Sequence, residues 1–179
     1  TNPTAPTTKR PKEPHETAPM IEDAITLNDH QRSVLKELVE SFDKGKAEAF
    51  LLHGITSSGK TEVYLNYLEY IVKKGKRRIL LVPEIGLTPL LTGRAAAKFG
   101  ERIAVYHSGL TDAQRHEQWM KIRRGDADVV IGTRSALFAP MENLGAIVVD
   151  EEHDGSYKQD EGFLYNARDS AVMRGHIEK

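Results

Sequence analysis

Cysteine is absent from the sequence. No disulfide can form among these residues, and no thiolate is available to hold zinc, so we expect no zinc site in this chain. Histidine does not fill the gap, because the seven histidines include no His-x3-His pair. Long apolar runs are missing too. Nothing approaches the ~20 consecutive apolar residues of a membrane-spanning helix, and the first twenty residues lack the apolar centre of a secretory signal. The expectation is a cytoplasmic protein with no membrane partner. Internal repeats are not visible, which argues against a solenoid. Charge of one sign is also lacking, with 25 Lys and Arg against 26 Asp and Glu. A balance this even does not mark a nucleic-acid module by charge alone, although a local patch can be offset elsewhere. The densest basic run, Lys73, Lys74, Lys76, Arg77 and Arg78, reads as a solvated helix end and turn.

What is present suits one domain. The chain has 179 residues, 39% of them hydrophobic and 28% charged, which excludes a fibrous or wholly disordered protein. Residues 1–24 stand apart: they hold five of the eight prolines and show no apolar periodicity. We read them as a flexible Pro/Thr-rich linker. The first residue is not Met, so an excised piece of something longer is expected. Residues 25–179 alternate between short apolar runs and helical patterns. Strands are expected at Ala49–His53, Ile79–Val82, Ile103–Tyr106, Val129–Gly132 and Ala146–Val149. Helices are expected from Asn28 or Asp29 to Phe42, and over Lys60–Val72, Pro89–Phe99 and Thr111–Arg124. The alternation predicts an α/β fold, a parallel sheet with helices on both faces.

Gly54-Ile55-Thr56-Ser57-Ser58-Gly59-Lys60-Thr61 fits the phosphate-binding P-loop pattern at every fixed position, after an expected strand and before an expected helix. Glycines let the backbone curl tightly, so that successive N–H groups and the helix N-terminus face an anion. Gly54, Thr56, Ser57, Ser58, Gly59, Lys60 and Thr61 are therefore expected to bind nucleotide. Lys60 would reach the β- and γ-phosphates and Thr61 the Mg²⁺ of ATP. The second anchor is Ile147-Val148-Val149-Asp150-Glu151-Glu152-His153, an apolar strand ending in carboxylates. Asp150 is expected on the metal and Glu151 as general base toward water.

The series of motifs resembles the primosomal protein N′ family of bacterial replication-restart DNA helicases. The matching strings are Leu52–Tyr64, Leu81–Pro89, Tyr106–Leu110, Gly132–Pro140 and the acidic box running on to Gln159, distributed through most of the stretch 27–179. The resemblance implies a superfamily 2, 3′-to-5′ helicase with two RecA-like motor lobes. It implies ATP and Mg²⁺ here, and zinc only in a later, cysteine-rich region. Residues 25–179 would be the first motor lobe. Forked or single-stranded DNA, primosome and single-strand-binding proteins, and the second lobe in cis would be its partners.

By the same resemblance Gln31 would read adenine. Thr88, Thr133, Arg134 and Ser135 would touch DNA phosphates, and Tyr157, Lys158, Tyr165 and Arg168 would belong to an aromatic-rich DNA loop that also holds Phe163. The sequence departs from the family at Ser57, where glycine is usual, and at Leu164 and Asn166, where Arg and His are usual. The RecA-like sheet is expected to be truncated before the strand that leads to a Ser-Ala-Thr motif, which in this family separates the strands of the two nucleotide motifs. The isolated chain is accordingly expected to hydrolyse ATP poorly. A non-catalytic DNA-binding or primosome-assembly module of ATPase-like fold, or a related DNA translocase, are the alternatives.

Overall fold

A computed structural model describes residues 27–55, 58–84 and 88–178. The linker expected at 1–24 lies outside the described residues, as do Thr56 and Ser57. Strands β1 (Arg77–Leu81), β2 (Ile103–Tyr106), β3 (Val129–Gly132) and β4 (Leu144–Val149) form one parallel sheet in the order β2-β3-β1-β4. Register runs Arg78↔Val129 and Ile79↔Ile147 across the two flanks of β1, and Ile103↔Val129 between β2 and β3. The helices are α1 (Asp29–Asp43), α2 (Lys60–Lys73), α3 (Pro89–Phe99), α4 (Asp112–Arg124) and α5 (Ala167–Ile177). A short antiparallel pair, β5 (Lys158–Gln159) with β6 (Tyr165–Asn166), closes the loop before α5.

The apolar runs became strands because both faces of the sheet are covered. Along β1, Ile79 and Leu81 point into a core with Ile122 of α4 and with Ala167 and Ala171 of α5. Leu80 and the following Val82 point the other way, into a core with Tyr64, Leu65 and Leu68 of α2 and Leu91 and Ala95 of α3. A strand buried on both sides gains nothing from alternation, so it reads as continuously apolar. The helix ends follow local chemistry. Asn28 with Gln31, and Thr111 with Gln114, form reciprocal capping boxes, and Thr88 caps α3 ahead of Pro89. α1 lies outside α2, with Phe42 edge-on to Tyr70 at 6.2 Å and the Tyr70 hydroxyl donating to Asp43 Oδ2 at 2.7 Å.

Two expectations change. The segment Ala49–His53 is not a strand: it makes no ladder among the described residues, and Leu51 is 72% exposed. An apolar run becomes a strand only where a neighbour satisfies its N–H and C=O groups, and β4 pairs here with β1 alone. The basic run also divides, because Arg78 enters β1 and is fully buried rather than solvated.

The outer edge of β2 is partly capped by α4. Lys121 Nζ donates to the carbonyls of Glu101 and Ile103, both at 2.8 Å, and Val105 N–H donates to Gln118 Oε1 at 3.1 Å. Those groups would otherwise stand open along an edge. Gly132, at the end of β3, sits so close to the Tyr106 carbonyl and to Ala136 that any Cβ would collide with both. That tight approach turns the chain at once into a 3-10 segment, Arg134–Phe138.

Candidate functional site

The loop before α2 closes on itself. Ser58 N–H donates to Ile55 O at 3.1 Å. Gly59, with φ 82°, takes the left-handed conformation that starts α2. A Cβ on Gly59 would strike the Gln31 amide. The amide is there because its Nε2 donates to Ser58 O at 3.0 Å, while its Oε1 accepts the Asn28 N–H at 2.9 Å. Gln31 thus ties α1 to the loop. Lys60 Nζ folds back onto the loop carbonyls, 2.8 Å from Gly54 O and 3.3 Å from Ile55 O. Gln31, Ser58, Gly59, Lys60 and Thr61 line one cleft of about 310 Å³ together with Asp150 and Glu151. Glu62 and Arg94 complete its wall as an ion pair between α2 and α3. Gly54 lies at the base of the loop rather than in the wall.

Asp150 is delivered by β4: its N–H donates to Leu81 O at 2.9 Å, one step past the last ladder pair. Tyr64 donates its hydroxyl to Asp150 Oδ2 at 2.9 Å, and Glu151 N–H donates to Oδ1 at 3.1 Å. Burial raises the Asp150 pKa and the Glu151 charge adds to this. The Tyr64 bond, the Glu151 N–H and the Lys60 charge oppose it. Burial, with the Asp150 charge, pushes the Tyr64 phenol upward, so it stays a donor. Glu151 itself has φ 45°, an uncommon left-handed backbone for a residue with a Cβ, and its carboxylate is exposed. His153 Nε2 lies 3.8 Å from Glu151 Oε2. Among the described residues no group of three or more His, Asp or Glu is placed to hold a metal on its own. Thr61 hydroxyl and Asp150 carboxylate are hard oxygens that line the same cleft as Lys60. That sparse donor set suits Mg²⁺, which is commonly held by one or two carboxylates plus substrate phosphates.

The residues expected on DNA separate into two groups. Tyr157 is 1% exposed, and its hydroxyl donates to the Asp150 main-chain carbonyl at 2.6 Å. It is a core residue and offers no ring face for stacking, which corrects the expectation. Thr133 is likewise buried. Arg134 Nη1 donates to Ser156 O at 3.2 Å and Lys158 O at 2.7 Å, so it holds the loop in place. Arg168 pairs with Glu152 and Asp169, and Lys158 with Asp160. Thr88 and Ser135 remain at the C-terminal side of the sheet, Thr88 exposed and Ser135 half-buried. The rings that do face outward form a short ladder. Tyr165 meets Phe138 at 5.1 Å and Phe163 at 5.9 Å, and Phe138 and Phe163 are both exposed. Phe138, Tyr64, Glu62 and Arg94 were not singled out in the sequence. Tyr64 carries a usable signal, lying one helical turn beyond Thr61.

A P-loop opening a helix, facing a carboxylate at the end of a parallel strand, defines a P-loop nucleotide-binding lobe. Comparison with known proteins narrows the class. Residues 28–170 match the DEAD/DEAH box helicase family, and the chain belongs to it. The chain is 47% identical over 152 residues to the replication restart protein PriA of Bacillus subtilis, covering 85% of the chain and 19% of that protein. It is 50% identical to the PriA of Haemophilus influenzae, again over 85% of the chain and 20% of the relative. The PriA of Synechocystis is 51% identical over 130 residues, 72% of the chain and 16% of that relative. The chain therefore spans about one fifth of the length of these curated relatives. In fold it is similar to RecG, solved bound to a three-way DNA junction, with a TM-score of 0.65 over 80% of the chain and 20% of RecG, at 24% identity. No helix among the described residues is long and apolar enough to cross a membrane.

Proposed function

We propose that this chain is the ATP-binding first motor lobe of a replication-restart DNA helicase that moves 3′ to 5′. The observation that carries the reading is the meeting of Lys60, Thr61, Asp150 and Glu151 in one cleft from two different elements. In this reading Lys60 exchanges its bonds to Gly54 O and Ile55 O for oxygens of the β- and γ-phosphates. The Gly59 region and the α2 N-terminus give N–H groups to the same anion. Gln31, already held at the loop, turns its remaining amide valences to the base. Thr61 and Asp150 would hold Mg²⁺, which would supply charge neutralisation to the phosphates. Glu151 takes the proton of the attacking water. Arg94 and Glu62 set the wall of the cleft next to α3.

Single-stranded or forked DNA is proposed across the C-terminal ends of the strands, where Thr88, Ser135 and the Phe138–Tyr165–Phe163 ladder lie. The replication-restart relatives, and RecG solved bound to a DNA junction, support DNA as the ligand, and the exposed rings of Phe138 and Phe163 support the placement. Primosome and single-strand-binding proteins, and a second motor lobe in cis, are proposed partners of the whole protein. The test is nucleotide titration with a fluorescent ADP and DNA-stimulated phosphate release in the full-length protein carrying this sequence. Lys60→Ala is expected to abolish tight nucleotide binding. Glu151→Gln is expected to bind nucleotide and release almost no phosphate. Wild-type nucleotide affinity in Lys60→Ala would remove the cleft from the reading and favour a non-catalytic assembly module.

A further inference from the structure

Tyr64 is 5% exposed and lies on α2, the helix that also presents Lys60 and Thr61. From the core beneath the cleft, its hydroxyl reaches Asp150 Oδ2 at 2.9 Å. The other bonds to Asp150 are of a different kind. Oδ1 takes the N–H of the next residue, Glu151, and so follows the backbone of its own strand end. The Tyr157 hydroxyl reaches the main-chain carbonyl and leaves the carboxylate free to turn. Tyr64 alone among these three fixes the carboxylate relative to α2.

We propose that Tyr64 is a positioning residue for the metal-side carboxylate: its hydroxyl holds Asp150 in a set orientation toward Thr61, so that the two oxygens offered to Mg²⁺–nucleotide come from a pre-arranged pair. The proposal rests on the reading of the cleft as a Mg²⁺–nucleotide site. The physical ground is general. A carboxylate that must rotate into place on binding loses part of its contact energy to ordering, and a hydrogen bond from outside the ligand shell removes that loss. Tyr64 has a second role in packing, since its ring belongs to the core with Leu65, Leu68 and Leu80. Tyr64→Phe keeps the ring and deletes only the bond.

The experiment uses the full-length protein carrying this sequence, with Mn²⁺ in place of Mg²⁺. Electron paramagnetic resonance reads bound Mn²⁺ in the presence of ADP. Fluorescent-ADP titration is run with Mn²⁺ and again in excess chelator. In Tyr64→Phe the half-saturating Mn²⁺ is expected to rise about 10-fold or more, while chelator-condition ADP affinity stays within about 2-fold. In an Asp150→Asn background the same change is expected to do nothing further. Unchanged Mn²⁺ half-saturation in folded Tyr64→Phe overturns the proposal, and so does an equal loss of ADP affinity with and without metal. If Tyr64→Phe fails to fold, fluorotyrosine at position 64 keeps the hydroxyl and, by withdrawing electron density from the phenol, changes the strength of the donated bond, and an unmoved Mn²⁺ half-saturation then overturns it. Lys60→Ala separates the two layers. Wild-type ADP affinity in that variant overturns the site reading itself, whereas lost affinity there with a silent Tyr64→Phe overturns the positioning role alone.

Discussion

Arg78 rides into the core on β1 with its guanidinium carbon 4.7 Å from the Phe99 ring centre and one long bond, 3.5 Å, from Nη1 to Lys76 O. Its Nε and Nη2 have no hydrogen-bond partner among the described residues. Burial pulls its pKa down to about 10, against smaller opposing pulls from Asp128 and Glu69. The sign follows: the folded state resists the proton, so the destabilisation is full below about pH 10 and eases only as pH climbs toward the ordinary 12.5. Stacking on Phe99 recovers up to ~2 kcal/mol, but desolvating an ion costs several kcal/mol, so desolvation wins. Arg78→Met is expected to raise unfolding stability by ~1 kcal/mol or more, evenly across pH 6 to 8. Urea titration checks this, and a lower midpoint would refute it. Tyr157 and Phe163 test the division of the aromatic loop. Tyr157→Ala removes a core ring and is expected to cost ~3–5 kcal/mol of stability. Phe163→Ala, at 77% exposure, is expected to leave stability within ~0.5 kcal/mol. It should still lose ~1–3 kcal/mol of oligo-dT affinity by fluorescence anisotropy. Equal folding losses in both variants would sink the distinction. At this scale spacing in the sequence was enough to single out Lys60, Thr61 and Asp150, which the fold brings to one cleft. The sequence was not readable where residue type leaves the partner open. Tyrosine looks the same whether it stacks outward or donates inward to Asp150, and Arg94 means nothing until α3 is laid beside Glu62.

Most elements could be read directly, because an apolar run closed by Gly or Pro is a local signal and both faces of this sheet are covered. Ala49–His53 carried that same local signal and did not become a strand, because ladder pairing is not local. The start of β1 shows the converse, with tertiary burial overriding a basic run. The starts of β2 and β3 are fastened by Arg102, which donates from Nε to Asp128 Oδ2 at 2.7 Å and from Nη2 to Oδ1 at 2.8 Å, and also to Gly125 O at 2.7 Å. Those Arg102 bonds hold the Asp128 pKa below its ordinary value. A lowered carboxylate stabilises the fold above its ordinary pKa, and that contribution fades as pH falls through the lowered folded value. Asp128→Asn is expected to lose only ~0.5 kcal/mol at pH 7, because the Arg102 side chain is half exposed and solvent screens the pair. As pH falls below the ordinary carboxylate value of 3.8 and on through the lowered Asp128 value, the variant and the parent should converge in melting temperature. A gap that persists there would assign the pair a packing role instead.

For the molecule as a whole, the arrangement of motifs around one cleft is a property of the sheet order. β1, β3 and β4 sit side by side, so the loops leaving their C-terminal ends crowd together, and the acidic box reaches the α2 N-terminus across them. The sheet also has two unlike borders. On β2, Lys121 occupies the Ile103 carbonyl and Gln118 the Val105 N–H. On β4, no ladder partner lies outside β1 among the described residues. Seen as a building unit, such a sheet has a valence of one. Two copies can join border to border, and neither then has a second reactive border to pass on. Self-association of this chain is expected to stop at pairs and not to grow into fibres. Sedimentation velocity across a concentration series should show monomer and dimer only. Replacing Gln118 and Lys121 by Ala should raise the valence to two and give species that lengthen with concentration. Larger assemblies from the unaltered chain would mean that the plug formed by α4 is not what limits growth.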